Sequence, residues 1–198
     1  MAGALRGMEV ARGGGGMTCI VGIAEAGKVW IGGDSAGVDS RYGLVVRSDR
    51  KVFRNGAFIF GFTSSFRMGQ LLAFKLKPPK RHPDDNLMEW MTTEFIDEVR
   101  KTLKEGGYAK KDKEEESGGT FLVGCEGRLF VIHSDYQVGE SSHGFDAVGC
   151  GDMIALGSLY ATPATDPKER LLLALRAAET FSAGVRAPFH IETTGEAK

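Results

Sequence analysis

Apolar positions along the chain follow two rhythms, one of period two and one of period three to four, and the rhythms alternate in blocks. Cys19-Ile20-Val21 and Val29-Trp30-Ile31 flank Glu25-Ala26-Gly27, which predicts two paired strands joined by a tight turn. The second run leads into Gly32-Gly33-Asp34, and after a polar loop an apolar run begins at Asp49-Arg50-Lys51-Val52-Phe53. Phe58-Ile59-Phe60-Gly61-Phe62 reads as a buried strand, and Thr63-Ser64-Ser65 as a helix start. A helix over 66–76 turns Phe66, Leu71, Leu72 and Leu76 to a core and stops before Pro78-Pro79. The longest helical pattern covers 86–105, where Leu87, Trp90, Met91, Phe95, Ile96, Val99 and Leu103 form one apolar stripe.

The stretch 108–119 mixes charges of both signs and ends in glycine, as a solvated connector does. Strands return at 120–125 and 128–132 around the hairpin signal Glu126-Gly127, with a shorter strand near 136–138. His133 and His143 have no triad pattern around them and read as structural or exposed. A strand over 145–149 runs into Gly149-Cys150-Gly151, and a helix over 152–161 stops near Pro163. The next helix is signalled by Asp166 as N-cap, Pro167 at its first position and Glu169 three beyond the cap. A strand over 188–193 closes the pattern. By itself the order strands, helices, strands, helices, strand indicates an α+β layered domain.

Composition narrows the reading. With 198 residues, 42% hydrophobic and 26% charged, the chain can bury one core of ordinary size. A formal net charge of −1 gives no global attraction to nucleic acid or to a membrane surface. No apolar run reaches the ~20 residues of a membrane span. Three cysteines without paired or zinc-type spacing suggest reduced thiols and a cytoplasmic setting, with neither metal nor organic cofactor implied. Residues 1–17 hold four consecutive glycines and read as a flexible leader ahead of one domain over 18–194, with a frayed tail over 195–198. The leader is either a propeptide cut before Thr18 or upstream sequence translated from a start placed too early. The Gly/Arg-rich run before Met17 favours the second.

Thr18, Asp34 and Lys51 all lie at or near predicted strand ends, where a sandwich can bring them together. A threonine hydroxyl needs a base to act as a nucleophile. If the chain begins at Thr18, its own α-amine supplies one, with a reference pKa of about 7.7–8.0. A lysine ammonium nearby lowers the pKa of hydroxyl and amine alike, and an aspartate holds that lysine in place. Singly, each residue also has a plain structural reading, as a strand-end threonine, a turn aspartate and a surface lysine.

The order and spacing of these residues resemble the proteasome-type N-terminal-nucleophile (Ntn) hydrolases, above all the HslV peptidases. Those chains begin with a processed threonine, run strand–turn–strand into GGD or AAD, and place a lysine later in a KV or KI pair. The matching residues here are Thr18, Gly32-Gly33-Asp34 and Lys51-Val52. Gly149-Cys150-Gly151 resembles the family's GSG, with Cys150 where serine normally stands. Glu179-Thr180-Phe181-Ser182-Ala183-Gly184 resembles its DxxSGG, with glutamate for aspartate and alanine for the first glycine. The resemblance implies a four-layer αββα sandwich of two antiparallel sheets between helices. It implies Thr18 as nucleophile, supported by Asp34, Lys51, Glu179, Ser182 and Cys150, with backbone N–H groups of Ser64, approached through Gly61, as the oxyanion hole. It further implies peptide or unfolded-protein substrates, a homo-oligomeric ring and an ATP-dependent unfoldase as partner. An Ntn amidohydrolase acting on a small amide metabolite, and a catalytically silent assembly protein, are the alternative readings.

Overall fold

The computed structural model describes residues 17–112 and 115–195, so residues 1–16 of the expected leader and 196–198 of the expected tail lie outside the described residues. Strands β1 (Cys19–Glu25) and β2 (Lys28–Gly33) form the first hairpin, and Ala26 and Gly27 turn it with φ of 48° and 74°. Both central residues take the left-handed conformation that a two-residue turn needs between right-twisted strands. β1 also pairs antiparallel with β12 (Phe145–Gly149), and β2 with β13 (His190–Thr193), giving a four-stranded sheet in the order β12-β1-β2-β13.

The second sheet has the order β11-β10-β9-β6-β5, built from β5 (Val52–Asn55), β6 (Phe58–Phe62), β9 (Phe121–Cys125), β10 (Arg128–Ile132) and β11 (Val138–Gly139). The expected hairpin at Glu126-Gly127 joins β9 to β10, with φ of 47° and 76°. Two stretches expected to be loops are paired instead. The polar loop after Asp34 contains the hairpin of β3 (Ala36–Val38) and β4 (Leu44–Val46). The charged connector holds β7 (Lys110–Asp112) against β8 (Glu115–Ser117). Charge and glycine content dominate the sequence pattern of both stretches, while backbone pairing in a two-stranded ribbon needs no apolar face.

Helix α1 (Phe66–Phe74) starts on Ser65, whose hydroxyl accepts the Arg67 N–H, and ends two residues short of the expected 76. The 86–105 pattern is one helical run in three parts: α2 (Leu87–Trp90), a π-helical turn (Met91–Phe95) and α3 (Ile96–Glu105). The stripe residues from Trp90 to Leu103 pack with Phe60, Phe121 and Phe130 of the second sheet. On the first sheet, Cys19, Val21 and Ile23 pack against Leu159 of α4 (Asp152–Ala161) and Leu171, Leu175 and Ala178 of α5 (Pro167–Phe181). A third buried cluster combines Ile20 and Ile31 of the first sheet with Val52, Ile59, Leu122 and Leu129 of the second. β1 therefore buries both faces, odd-numbered residues toward α4 and α5 and Ile20 toward the other sheet. This explains its nearly unbroken apolar run.

Close approach of the sheets depends on Gly61. A Cβ there would overlap Ile20 Cγ2 and lie 2.7 Å from Ile31 Cγ2. β6 is also paired on both sides, with Val52 and Leu122 opposite Gly61. Phe62 donates to Lys51 O and Thr63 to Thr120 O, so alternation along the ladder turns the Gly61 N–H toward β9. Gly61 thus places its N–H along the ladder and its missing side chain in the core. Gly61→Ala should destabilise the fold by about 1–3 kcal/mol through overpacking against branched side chains that have no room to move. Urea denaturation should show a lower midpoint with an unchanged slope.

Candidate active site

Lys51 lies at the entrance to β5, Asp34 just beyond β2 and Thr18 just ahead of β1, so three strand ends of two sheets converge on one point. The Lys51 Nζ donates to Thr18 Oγ1 and, at 2.8 Å, to Asp34 Oδ1. All three residues are buried, with Thr18 4%, Asp34 0% and Lys51 2% exposed. Burial lowers the Lys51 pKa from its ordinary 10.5, and the neighbouring Asp34 carboxylate works against that fall.

A buried carboxylate survives only if its lone pairs are used. Asp34 Oδ1 also accepts the Cys19 N–H at 3.1 Å, and Oδ2 accepts those of Ala36 at 2.8 Å and Arg186 at 3.2 Å. The site thereby ties the segment after α5 to both hairpin strands. Ser35 strengthens the tie, its N–H donating to Arg186 O and its hydroxyl to Pro188 O at 2.6 Å.

The backbone N–H of Thr18 donates to Cys150 Sγ at 3.3 Å, and that sulfur lies 3.1 Å from Ser182 Oγ. Cys150 is exposed to solvent. Gly149, with φ of 108°, brings the chain close to Thr18: a Cβ at this position would run into the Thr18 carbonyl. Gly184 passes the residue on the other side, where a Cβ would lie 2.7 Å from Met17 Cβ and 2.8 Å from Cys150 Sγ. Cys19, adjacent in sequence, is no competing nucleophile, because burial and then Asp34 hold its thiol protonated far above the usual range.

The remaining expected residues fall at different removes. Ser64 stands on the strand-to-helix turn with φ of 65°, a left-handed conformation that glycine adopts more easily, and its hydroxyl accepts the Thr120 N–H at 3.1 Å. Glu179 does not reach the Thr18 nitrogen. Its carboxylate accepts the Ala187 N–H at 2.8 Å, one residue beyond the amide that binds Asp34. The carboxylate thus holds the 186–187 backbone, whose Arg186 N–H binds Asp34. Sequence reasoning missed the backbone of Arg186 and the hydroxyl of Ser35. Their only signal was position, two residues after the SGG-like motif and one after the aspartate. Among the described residues no group of His, Cys, Asp and Glu is placed to hold a metal ion.

A cleft of about 1030 Å³ is lined by Cys150, the partner of the Thr18 N–H, together with Thr63, Ser64 and Gly149.

No protein-family profile and no curated protein matches the sequence. Among solved structures the chain is similar to Thiobacillus denitrificans BPH, with a TM-score of 0.74 and 22% identity over 91% of this chain and 100% of the other. It has the proteasome/HslV-type fold. Eukaryotic HslV from Trypanosoma brucei superposes with a TM-score of 0.64 at 19% identity, covering 89% of this chain and 98% of the other. Anbu from Yersinia bercovieri does so with 0.61 at 13%, covering 89% and 81%. At these identities the likeness is one of fold, and it agrees with the resemblance read from the motifs around Thr18, Asp34 and Lys51. No helix among the described residues is long and apolar enough to cross a membrane.

Replacing Asp34 by Asn leaves the buried ammonium without its counter-charge while keeping the shape of the side chain. Such a change should cost about 3–5 kcal/mol, read as a lowered midpoint in chemical denaturation.

Proposed function

We propose that the chain is a threonine peptidase of the proteasome/HslV class, with Thr18 as an N-terminal nucleophile after removal of residues 1–17. The observation that carries this reading is the Lys51 ammonium shared between Thr18 Oγ1 and the buried Asp34 carboxylate. An ammonium against the hydroxyl favours its deprotonated form, and here Lys51 directs one N–H to that oxygen while another serves Asp34. Thr18 Oγ1 attacks the scissile carbonyl while the freed α-amine takes its proton, directly or through one water. The amine occupies the position of the present Thr18 N–H, against Cys150 Sγ, which Ser182 Oγ contacts in turn. Backbone N–H groups at the Ser64 turn receive the oxyanion, a contribution of the kind whose loss costs 10²–10³ in rate. Water activated by the same amine then releases the acyl-enzyme.

The three hydrophobic clusters support a four-layer αββα arrangement, with α1, α2 and α3 outside one sheet and α4 and α5 outside the other. The fold likeness supports a homo-oligomeric ring acting on unfolded protein delivered by an ATP-dependent unfoldase in the cytoplasm. One solved relative, the Thiobacillus denitrificans protein, was captured in complex with epoxomicin. The same compound serves as a probe here.

Intact-mass measurement on the native protein should give a chain beginning at Thr18, and epoxomicin should add its own mass to that chain. Thr18→Ala should abolish both the adduct and peptide cleavage; unchanged cleavage by that variant would remove the mechanism. The pH profile supplies a second check. Raising the pH deprotonates Lys51 and withdraws the positive charge from Thr18, so activity falls through the Lys51 pKa. Because burial lowers that pKa, the alkaline limb of kcat/KM should have its midpoint below 10.5.

A further inference from the structure

The cleft beside Thr18 is not neutral toward charge. Asp146, on β12, and Asp152, at the start of α4, both line it together with Cys150. Asp146 is half-buried, and its recorded hydrogen bond is to its own neighbour, the Ala147 N–H at 2.8 Å. Among the described residues it belongs to no ion pair. Burial raises the pKa of its carboxyl, with His133 acting in the opposite direction and Asp152 in the same one. Lys110 and His133 also line the cleft, but both are exposed and keep their hydration. Asp146 and Asp152 are half-buried carboxylates of the cleft that, among the described residues, belong to no ion pair.

The direction of the cleft follows from the chemistry, and this step rests on the function proposed above. The α-amine that takes the proton of Thr18 must later deliver one to the departing nitrogen, so that nitrogen has to lie on the amine's side of the nucleophile. The Thr18 nitrogen donates to Cys150, and Cys150 lines the same cleft as Asp146 and Asp152. The part of the substrate C-terminal to the cut therefore runs into this cleft, and the acyl part lies elsewhere. We infer that Asp146, assisted by Asp152, selects peptides carrying lysine or arginine on the leaving-group side of the scissile bond. A cationic side chain there gains a partly desolvated partner. A glutamate there meets two carboxylates.

The experiment uses internally quenched peptides with one constant acyl half and with Lys, Leu or Glu at the first two leaving-group positions, cleaved by the native protein. The Lys peptide should be favoured over the Glu peptide by roughly tenfold in kcat/KM, the scale of one charge interaction in a partly solvated site, and higher salt should reduce that ratio. Asp146→Asn, whose amide oxygen can still accept the Ala147 N–H, should bring the ratio close to one, and Asp146→Lys should invert it. A native ratio near one, or a native preference that survives in Asp146→Asn, overturns the inference while leaving the peptidase reading in place. Failure to cleave any of the peptides, together with absence of an epoxomicin adduct, overturns the peptidase reading and this inference with it.

Discussion

A fully buried lysine–aspartate pair is the constraint on which the rest of this structure depends. Taking two charges out of water costs several kcal/mol per ion, and the pair is tolerated only where hydrogen bonds complete it. Here the completing groups are backbone amides from three separate places: Cys19 at the head of β1, Ala36 beyond β2, and Arg186 after α5. The last of these explains why the chain after α5 returns to the centre of the molecule before β13. Thr18 Oγ1 accepts another of the Lys51 donors, so its hydroxyl is held by the same pair that the fold buries.

The surroundings of that pair are made by missing side chains. Gly61 lets Ile20 and Ile31 meet the second sheet, and Gly33 accepts Ile20 and Val52 at distances no Cβ would allow. Gly149 and Gly184 let the backbone pass on two sides of Met17 and Thr18. Ser64 is the contrasting case. It holds a left-handed backbone with a side chain in place, and its hydroxyl is used to bind Thr120. A residue that costs conformational energy but secures the neighbouring strand can persist at such a turn.

Two of the three departures from the motifs that the sequence resembles have different structural meanings. Cys150 stands against the Thr18 nitrogen, so exchanging a hydroxyl for a thiol alters a direct contact and replaces a good hydrogen-bonding group with a weak one. Glu179 is one segment removed, and its longer side chain is absorbed by binding the Ala187 amide. The first change bears on chemistry and the second on how the 184–188 segment is held.

Much of this was written in local pattern. The turns at Ala26-Gly27 and Glu126-Gly127, the cap at Asp166 with Pro167 behind it, and the stripe from Leu87 to Leu103 all depend on neighbours a few residues apart. The convergence of Thr18, Asp34 and Lys51 was legible only through their order and spacing, because each alone is an ordinary residue type at a strand end. What no local pattern carried was the partner of each polar atom. That Gly61 serves packing and its amide the ladder, that Glu179 binds Ala187, that Arg186 closes the carboxylate's shell, and that Asp146 lines a cleft without joining an ion pair among the described residues were all decided by the tertiary structure. The physical reason is that periodicity records which face of an element is apolar, whereas hydrogen bonding and charge pairing depend on where distant segments meet to within a fraction of an ångström.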